Sequence, residues 1–263
     1  MIEALRLHTA VHLTCLRRNR LVQGFAVLVL ASLTVALVPA LVFDDDSNRF
    51  QALRQVARTL HGAVSGVTAA LGVFLLWTHR RTRAITMVAT TAAPFGAWVG
   101  SLFVTAALVG AAAQAVVALL VFTLSTVWGV TYQYGFVYLA LDHLAESLIA
   151  LAAFTVLGVR LHPVIAAALA MVINDSTLRT LRYGLELLPL GPLLTTVKAA
   201  ATGLYYLLPA SDPFGERTAA LYRTMRVAES DWRYLLGTTA YALLALAFAQ
   251  VTTLALLRSK PRQ

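Results

Sequence analysis

Apolar residues in this chain come in long runs, separated by segments that contain charges or proline and, at residues 128–135, by an aromatic stretch. A helix crosses the hydrocarbon core of a membrane with about 20 residues at about 1.5 Å each. Runs with few charges or none reach this length at residues 21–43, 56–78, 95–124, 136–157 and 234–257. Each of these runs predicts a membrane-spanning helix.

The region 164–208 interrupts this pattern, and two interpretations of it stay open. A polar segment divides its apolar residues: Asn174, Asp175, Arg179, Arg182 and Glu186. The region is either a fifth span whose polar half faces other helices or a lumen, or a broken helix followed by a partly re-entrant segment. Pro189, Gly191 and Pro192 favour the second interpretation. Residues 209–233 then predict an amphipathic outer helix before the sixth span.

Residues 1–20 predict an amphipathic helix that lies along the membrane surface. Its apolar face would contain Ile2, Leu5, Leu13 and Leu16. Other parts of the helix surface would carry the basic residues and one histidine: Arg6, His12, Arg17, Arg18 and Arg20. The fold class expected from the pattern is therefore an all-α polytopic membrane protein with six spans and an N-terminal interfacial helix.

The composition agrees with a membrane protein. Hydrophobic residues make up 59% of the 263 residues, charged residues make up 13%, and the mean hydropathy is +0.74. Soluble domains carry about 25% charged residues. The net charge of +9 does not indicate nucleic acid as a partner, because the basic residues gather at the ends of apolar runs. Cys15 is the only cysteine, so we expect no internal disulfide and no thiolate metal cage.

The distribution of Arg and Lys predicts the orientation of the spans. With six crossings and both termini in the cytoplasm, Glu3 is the only acid in the inside segments. These segments then hold Arg6, Arg17, Arg18, Arg20, Arg80, Arg81, Arg83, Arg160, Arg258, Lys260 and Arg262. We therefore expect a multi-pass protein with its N-terminus and C-terminus in the cytoplasm.

Signatures of soluble enzymes do not occur in the sequence. It contains no GxxxxGK[ST] phosphate-binding loop, no HExxH and no GxSxG. His61 and His143 are expected near the outer membrane boundary, where a haem or metal site is conceivable but packed polar histidines are favoured. We expect a transport subunit that is not an enzyme and binds no cofactor itself.

Two carboxylates in the fourth span, Asp142 and Glu146, lie four residues apart and share a helix face. They could line a lumen, because carboxylates within a span normally face protein or water. They could also pair with Arg54 or Arg58 of the second span, and this structural interpretation is favoured. The same alternatives apply to a second pair with this spacing, Asp175 and Arg179.

Gly62 and Gly66 of the second span also lie four residues apart. Small residues at this spacing let helix backbones approach closely. They predict tight packing of this span without identifying the helix that packs against it.

The segment between the second and third spans is basic at its start and uncharged beyond. Residues 83–93 predict a short helix on the cytoplasmic surface, which either connects two spans or contacts another protein. The residues of this segment that could make such a contact are Arg80, Arg81, Arg83, Ile85, Thr86, Met87, Val88 and Thr90.

Taken in order, these features resemble the membrane subunit, or permease, of an ABC-2-type exporter. The N-terminal segment ends in LRRNRL at residues 16–21, and a basic loop with a short helix follows the second span. A tight hairpin between the third and fourth spans would place four aromatic residues at the membrane interface: Trp128, Tyr132, Tyr134 and Tyr138. LYYLLP at residues 204–209 precedes the outer helix, and the last span ends in Arg258-Ser259-Lys260. The resemblance covers nearly the whole chain.

The resemblance implies an ATP-driven exporter in a bacterial cytoplasmic (inner) membrane. Such permeases work as dimers, with a second copy or a related permease, together with two copies of a separate P-loop ATPase that binds ATP and Mg. The family's coupling helix corresponds to residues 83–93, and spans one, two and five line the path. The N-terminal helix would also contact the ATPase, with Leu5, Arg6, Arg17, Arg18 and Arg20 as its contact residues.

Other classes of function stay open at this point. A membrane-embedded redox, metal-binding or haem-binding subunit could use His61, His143, Asp142 and Glu146. A secondary transporter independent of an ATPase would be expected to show inverted internal repeats, and the sequence shows none. A scaffolding subunit is the third alternative.

Overall fold

The computed structural model describes most of the chain, in several separate ranges. The longer described ranges are residues 2–18, 46–81, 95–129, 135–162, 191–207 and 229–258. The remaining described positions are residues 23, 164–166, 169, 184 and 227. Every structural statement below concerns these residues.

The described residues form helices and no strands, which confirms the all-α expectation. Six helices have the bounds α1 Ile2–Arg18, α2 Asp46–Arg81, α3 Phe95–Val127, α4 Gly135–Gly158, α5 Pro192–Leu207 and α6 Glu229–Arg258. Gly129, with φ 66°, directly follows α3, and its N–H donates to the Thr126 carbonyl at 3.2 Å. A glycine in this left-handed conformation commonly ends a helix, because it lacks a Cβ that would clash.

Four helices are long and apolar enough to span a membrane: Gln51–Arg80, Phe95–Val127, Val137–Gly158 and Glu229–Arg258. They correspond to the predicted second, third, fourth and last spans. The predicted first span (21–43), apart from residue 23, and the coupling helix (83–93) lie outside the described residues, as do residues 170–183 and 185–190 of the region 164–208. Within that region, Pro192–Leu207 is helical.

Two helices extend beyond the predicted spans that they contain. The helix of the second span begins at Asp46 and that of the last span begins at Glu229, before the predicted spans 56–78 and 234–257. Acidic residues in a first turn stabilise a helix through its dipole. Glu229 and Asp231 occupy that position in α6, and Arg233 donates to the Glu229 carboxylate at 2.9 Å.

The helices pack around α4, which contacts α2, α3 and α6, while α1 lies against α3. Two apolar clusters lie toward opposite ends of the bundle and are called outer and inner after the predicted topology. The outer cluster joins α2, α3, α4 and α6 through Leu53, Leu60, Val117, Val121, Leu139 and Leu235. An inner cluster joins all of these helices and α1 through Leu16, Leu76, Leu102, Leu151 and Ala249. The residues between these two clusters are more polar.

Hydrogen bonds attach α6 to its neighbours at both ends. The Tyr138 hydroxyl of α4 donates to the Asp231 carbonyl at 3.1 Å, and its ring meets Trp232 edge to face. Tyr138 is buried by these contacts and others. The sequence groups it with the aromatic residues at the membrane interface, which concerns its depth and not its burial in the protein. At the other end, the Gln250 amide donates to the Gly96 carbonyl of α3 at 3.3 Å.

The outer faces of α3 and α6 expose large apolar side chains, among them Leu108, Val116, Leu119, Leu236, Leu244, Phe248 and Val251. Exposed apolar faces of this extent are unfavourable in water and favourable against lipid tails. The arrangement therefore fits a helical bundle in a membrane.

Glycines let α2 approach α3 and α4 closely, although not the two that the sequence singled out. A Cβ at Gly110 of α3 would lie 2.6 Å from both Oγ1 and Cγ2 of Thr68, and one at Gly72 of α2 would clash with Thr155 and Leu151 of α4. No described atom lies within 4 Å of a Cβ at Gly62 or Gly66. The helix that packs against Gly62 and Gly66 therefore remains a prediction.

The contact at Gly110 predicts a selective loss of stability. Gly110→Ala forces its methyl group into Thr68, a stiff β-branched side chain, and such overpacking costs about 1–3 kcal/mol. We expect a clearly lower melting temperature for the detergent-solubilised variant in fluorescence-detected size exclusion. Gly237→Ala on α6 is the control, since no described atom lies within 4 Å of its Cβ. Equal melting temperatures for the two variants would contradict the close α2–α3 approach.

Candidate functional site

A chain of buried polar side chains joins α1 to α2 and α3 and is called the histidine latch here. It consists of His12 of α1, His79 of α2 and Ser101 of α3. The Nε2 atom of His79 lies 2.7 Å from Nδ1 of His12, and Nε2 of His12 lies 2.8 Å from Ser101 Oγ. All three side chains are buried, and the Trp98 ring lies edge-on to both histidines.

The hydrogen bonds of the latch run in one direction. Ser101 Oγ lies 2.6 Å from the Trp98 carbonyl, a separation that requires the hydroxyl to donate its only proton there. Ser101 must therefore accept from Nε2–H of His12. Neutral His12 then carries a lone pair on Nδ1, which accepts from Nε2–H of His79. In this arrangement His79 is the donor and neutral His12 is the acceptor.

The surroundings of His12 oppose its protonation. Burial, together with the nearby His79 and His8, lowers the pKa of His12 from 6.5 to about 3. With His79 donating from Nε2–H, a protonated His12 would place a second donor opposite that group.

The side of α1 that packs against the other helices is only partly apolar. Thr9, His12 and Leu16 are buried, whereas Ile2 and Leu13 are exposed. The sequence assigned His12 to the polar face because its partners, 67 and 89 residues away, are not apparent in a helical pattern. His79 directly precedes the basic loop and was missed for the same reason.

Some of the residues predicted to contact an ATPase are described by the structure, and the others lie outside the described residues. Leu5 is half-buried and Arg80 partly buried, while Arg6, Arg17 and Arg18 of α1 are exposed. Arg81 is the last residue of α2. The others lie outside the described residues: Arg20, Arg83, Ile85, Thr86, Met87, Val88 and Thr90. The latch therefore sits beside the start of the predicted coupling segment.

A second polar group, called the midspan cluster here, lies between the outer and inner apolar clusters. It contains His61 and Ser65 of α2, Gln114 of α3, and His143 and Glu146 of α4. Nδ1 of His61 lies 2.6 Å from Gln114 Oε1, and Nδ1 of His143 lies 3.1 Å from Glu146 Oε2. Ser65 Oγ contacts the His143 carbonyl at 3.2 Å. Three helices therefore meet through polar groups at this level.

The two histidine rings of the midspan cluster lie face to face. Their centroids are 5.3 Å apart, and their planes differ by 11°. Two axial ligands of a haem would instead point ring nitrogens toward a common iron, so this arrangement does not support the haem interpretation. No group of three or more His, Cys, Asp or Glu suited to a metal ion occurs among the described residues.

The candidate lumen-lining residues are only partly described. Asp142 is 4% exposed, and the Glu146 side chain is 16% exposed and held by His143. Arg58, one of the predicted structural partners, lies within electrostatic range of His143 together with Asp142 and Glu146. Asp175 and Arg179 lie outside the described residues. A lumen lined by these four residues remains a prediction.

A scan against protein-family models and searches of curated proteins and of solved structures each find no match to this chain. The interpretation of the two sites therefore rests on their geometry and on the sequence pattern.

The latch predicts that Ser101 holds α1 in place. Ser101→Ala leaves Nε2–H of His12 buried without an acceptor, which costs about 1–3 kcal/mol. We expect a spin label on Cys15, the only cysteine and an exposed residue of α1, to gain mobility in this variant.

Ser125→Ala is the matched control for this substitution. Ser125 is also a buried serine of α3, but its hydroxyl only donates to the Phe122 carbonyl at 2.7 Å. A mobile label in both variants, or in neither, would argue against the latch.

The docking of α1 should weaken in acid. The undocked helix exposes His12 with an ordinary pKa of 6.5, whereas the docked pKa is about 3, so the undocked state binds more protons between these values. Stability is fully present above pH 6.5 and falls as the pH decreases toward 3. We expect the equilibrium constant for docking to fall about tenfold between pH 7.5 and 5.5.

The same spin label measures this equilibrium. His12→Gln cannot take up a proton, so its label mobility should lose most of this pH dependence. An unchanged pH profile in His12→Gln would show that another group is responsible.

Proposed function

We propose that this chain is the permease subunit of an ABC-2-type ATP-driven exporter. The observation that carries the proposal is the histidine latch. It ties an amphipathic N-terminal helix to the adjacent ends of α2 and α3, the two helices that flank the segment expected to couple to an ATPase. The order of sequence features described above supports the same conclusion.

In this proposal, the chain converts movement into transport and carries out no chemistry. Two copies of a separate P-loop ATPase bind ATP and Mg on the cytoplasmic side. Their closure displaces α1 and residues 83–93, and the latch passes this displacement to α2 and α3 as a unit. A second copy or a related permease completes the translocation path, and the spans alternate between inward-open and closed or outward-open states.

The exposed surface of α1 suits a position between the membrane and a protein partner. Arg6, Arg17 and Arg18 are exposed along it, together with the apolar Leu7 and Val11. Basic and apolar residues on one helix favour the surface of an anionic membrane, and the arginines can also bind carboxylates of a partner. The proposed location is the cytoplasmic (inner) membrane of a bacterium, with both termini inside.

Cys15 allows a direct test of the ATPase contact. A photo-crosslinker attached to this cysteine in native membranes should capture a P-loop ATPase, identified by sequencing the crosslinked peptide. Ser101→Ala should reduce the stimulation of ATPase activity by the permease severalfold, because the undocked α1 no longer transmits movement. Ser125→Ala should leave it unchanged.

The control moves the crosslinker to the opposite end of the bundle. The chain with Cys15→Ser and Arg233→Cys carries it on an exposed position at the start of α6, which we expect outside the cell. ATPase capture from Cys15 alone supports the proposal. If no ATPase is captured or co-purifies, or if capture is equal from both positions, the chain is not such a permease.

A further inference from the structure

The midspan cluster lies at the middle of the spans, deeper than the sequence suggested. Ser65 is at the centre of Gln51–Arg80, and Glu146 is at the centre of α4. The cluster separates the outer apolar cluster around Leu60 and Val117 from the inner cluster around Leu102 and Leu151. Ionisable groups at this depth are costly and mark functional sites. The proposed exporter mechanism makes no use of them.

Hydrogen bonds fix the tautomer of His61. The Gln114 amide nitrogen lies 3.3 Å from both the His61 carbonyl and Ser65 Oγ, and these contacts orient the amide with its oxygen toward the imidazole. Gln114 Oε1, 2.6 Å from Nδ1 of His61, can only accept. Nδ1 therefore carries the proton, and Nε2 of His61 carries a lone pair.

That lone pair has no donor among the described residues. His61 is 0% exposed, and its Nε2 is a buried atom for which the described part of the chain supplies no hydrogen-bond partner. A buried acceptor without a donor is unfavourable, and natural proteins rarely retain one without a reason. A basic nitrogen in this state is a place where a proton can bind.

The neighbouring ring supplies the counter-charge. His143, stacked on His61, has its Nδ1 3.1 Å from the Glu146 carboxylate. One imidazolium in the pair is balanced by this carboxylate. A second imidazolium would place positive charges on two stacked rings whose centroids are 5.3 Å apart, so protonation of both histidines at once is disfavoured.

The groups around the pair limit what else could bind. From α2 these are Arg58 and Ser65, from α3 Gln114, and from α4 Asp142 and Glu146. On α6, the apolar Ala242 packs with Ala145 and Ile149 of α4, close in sequence to Glu146. Because His61 is fully buried among the described residues, an organic substrate has no access to its ring, whereas a proton needs no cavity.

We propose that His61, His143 and Glu146 form a mid-membrane site that binds one exchangeable proton. The proton comes from water and returns to it, adding to a ring nitrogen lone pair while Glu146 stays ionised as its counter-ion. No other bond forms or breaks. The two histidines share a single proton because the first excludes the second. The site does not require ATP-driven export and would link the state of the bundle to pH.

Nitrogen NMR of the full chain in lipid bilayers tests this proposal, because imidazole ¹⁵N shifts distinguish neutral tautomers from imidazolium. The chain has six histidines, and His61→Gln and His143→Gln assign the two signals. Between pH 8.5 and 4.5 we expect both signals to change together, with a gain of one imidazolium over the pair. Glu146→Gln should abolish this gain, and His162→Gln, at an exposed position, should leave it intact.

The unsubstituted chain gives the same answer if a glutamine variant fails to fold. Magnetisation transfer from labelled Gln114 to His61 and from labelled Glu146 to His143 assigns the signals across the 2.6 and 3.1 Å contacts. Three results would overturn the proposal: both rings neutral at every pH, one constant imidazolium at every pH, or two independent protonations. The first two would show a fixed structural network. None of these results bears on ATPase capture, so the two proposals can fail separately.

Discussion

The close approach of α2 to α3 and α4 is the constraint on which both polar sites depend. Hydrocarbon supplies no hydrogen bonds, so a polar side chain within a span must find its partner inside the protein. Gln114 can reach His61, and Ser65 can reach the His143 carbonyl, because Gly110 and Gly72 bring the helix backbones together nearby. Larger side chains at these glycines would separate the groups that the midspan cluster pairs.

Helix α2 carries a member of each site. His61 and His79 are separated by 18 residues, or about 27 Å along a continuous helix. In a continuous helix, a shift at the end that carries His79 can change the position of His61 relative to Gln114 and His143. The latch and the midspan cluster can therefore be linked without any chain of side chains between them, since the helix itself connects them.

The sequence predicted the spans better than the sites, for identifiable physical reasons. Hydropathy defined the third span closely because residues 95–127 carry no charge. It does not show where α6 begins, because Glu229 and Asp231 lower the hydropathy although a helix N-terminus favours them. The spacing of glycines along α2 also could not show which of them pack against a neighbouring helix, because this spacing carries no information about the side chains of that neighbour. His12 was misplaced because its burial depends on residues far along the chain.

The distance in sequence between the latch partners has a consequence for biosynthesis. His12 and Ser101 are 89 residues apart, so α1 leaves the ribosome long before its docking site exists. At about 5–20 residues per second, synthesis of the intervening chain takes roughly 5–20 s. During that interval the amphipathic helix has no partner in the bundle, and the membrane surface is where its apolar side chains can be buried. The hydrogen bonds of the latch can form only after the start of α3 has been placed. Their formation therefore marks the point at which α1, α2 and α3 have assembled at this end of the bundle.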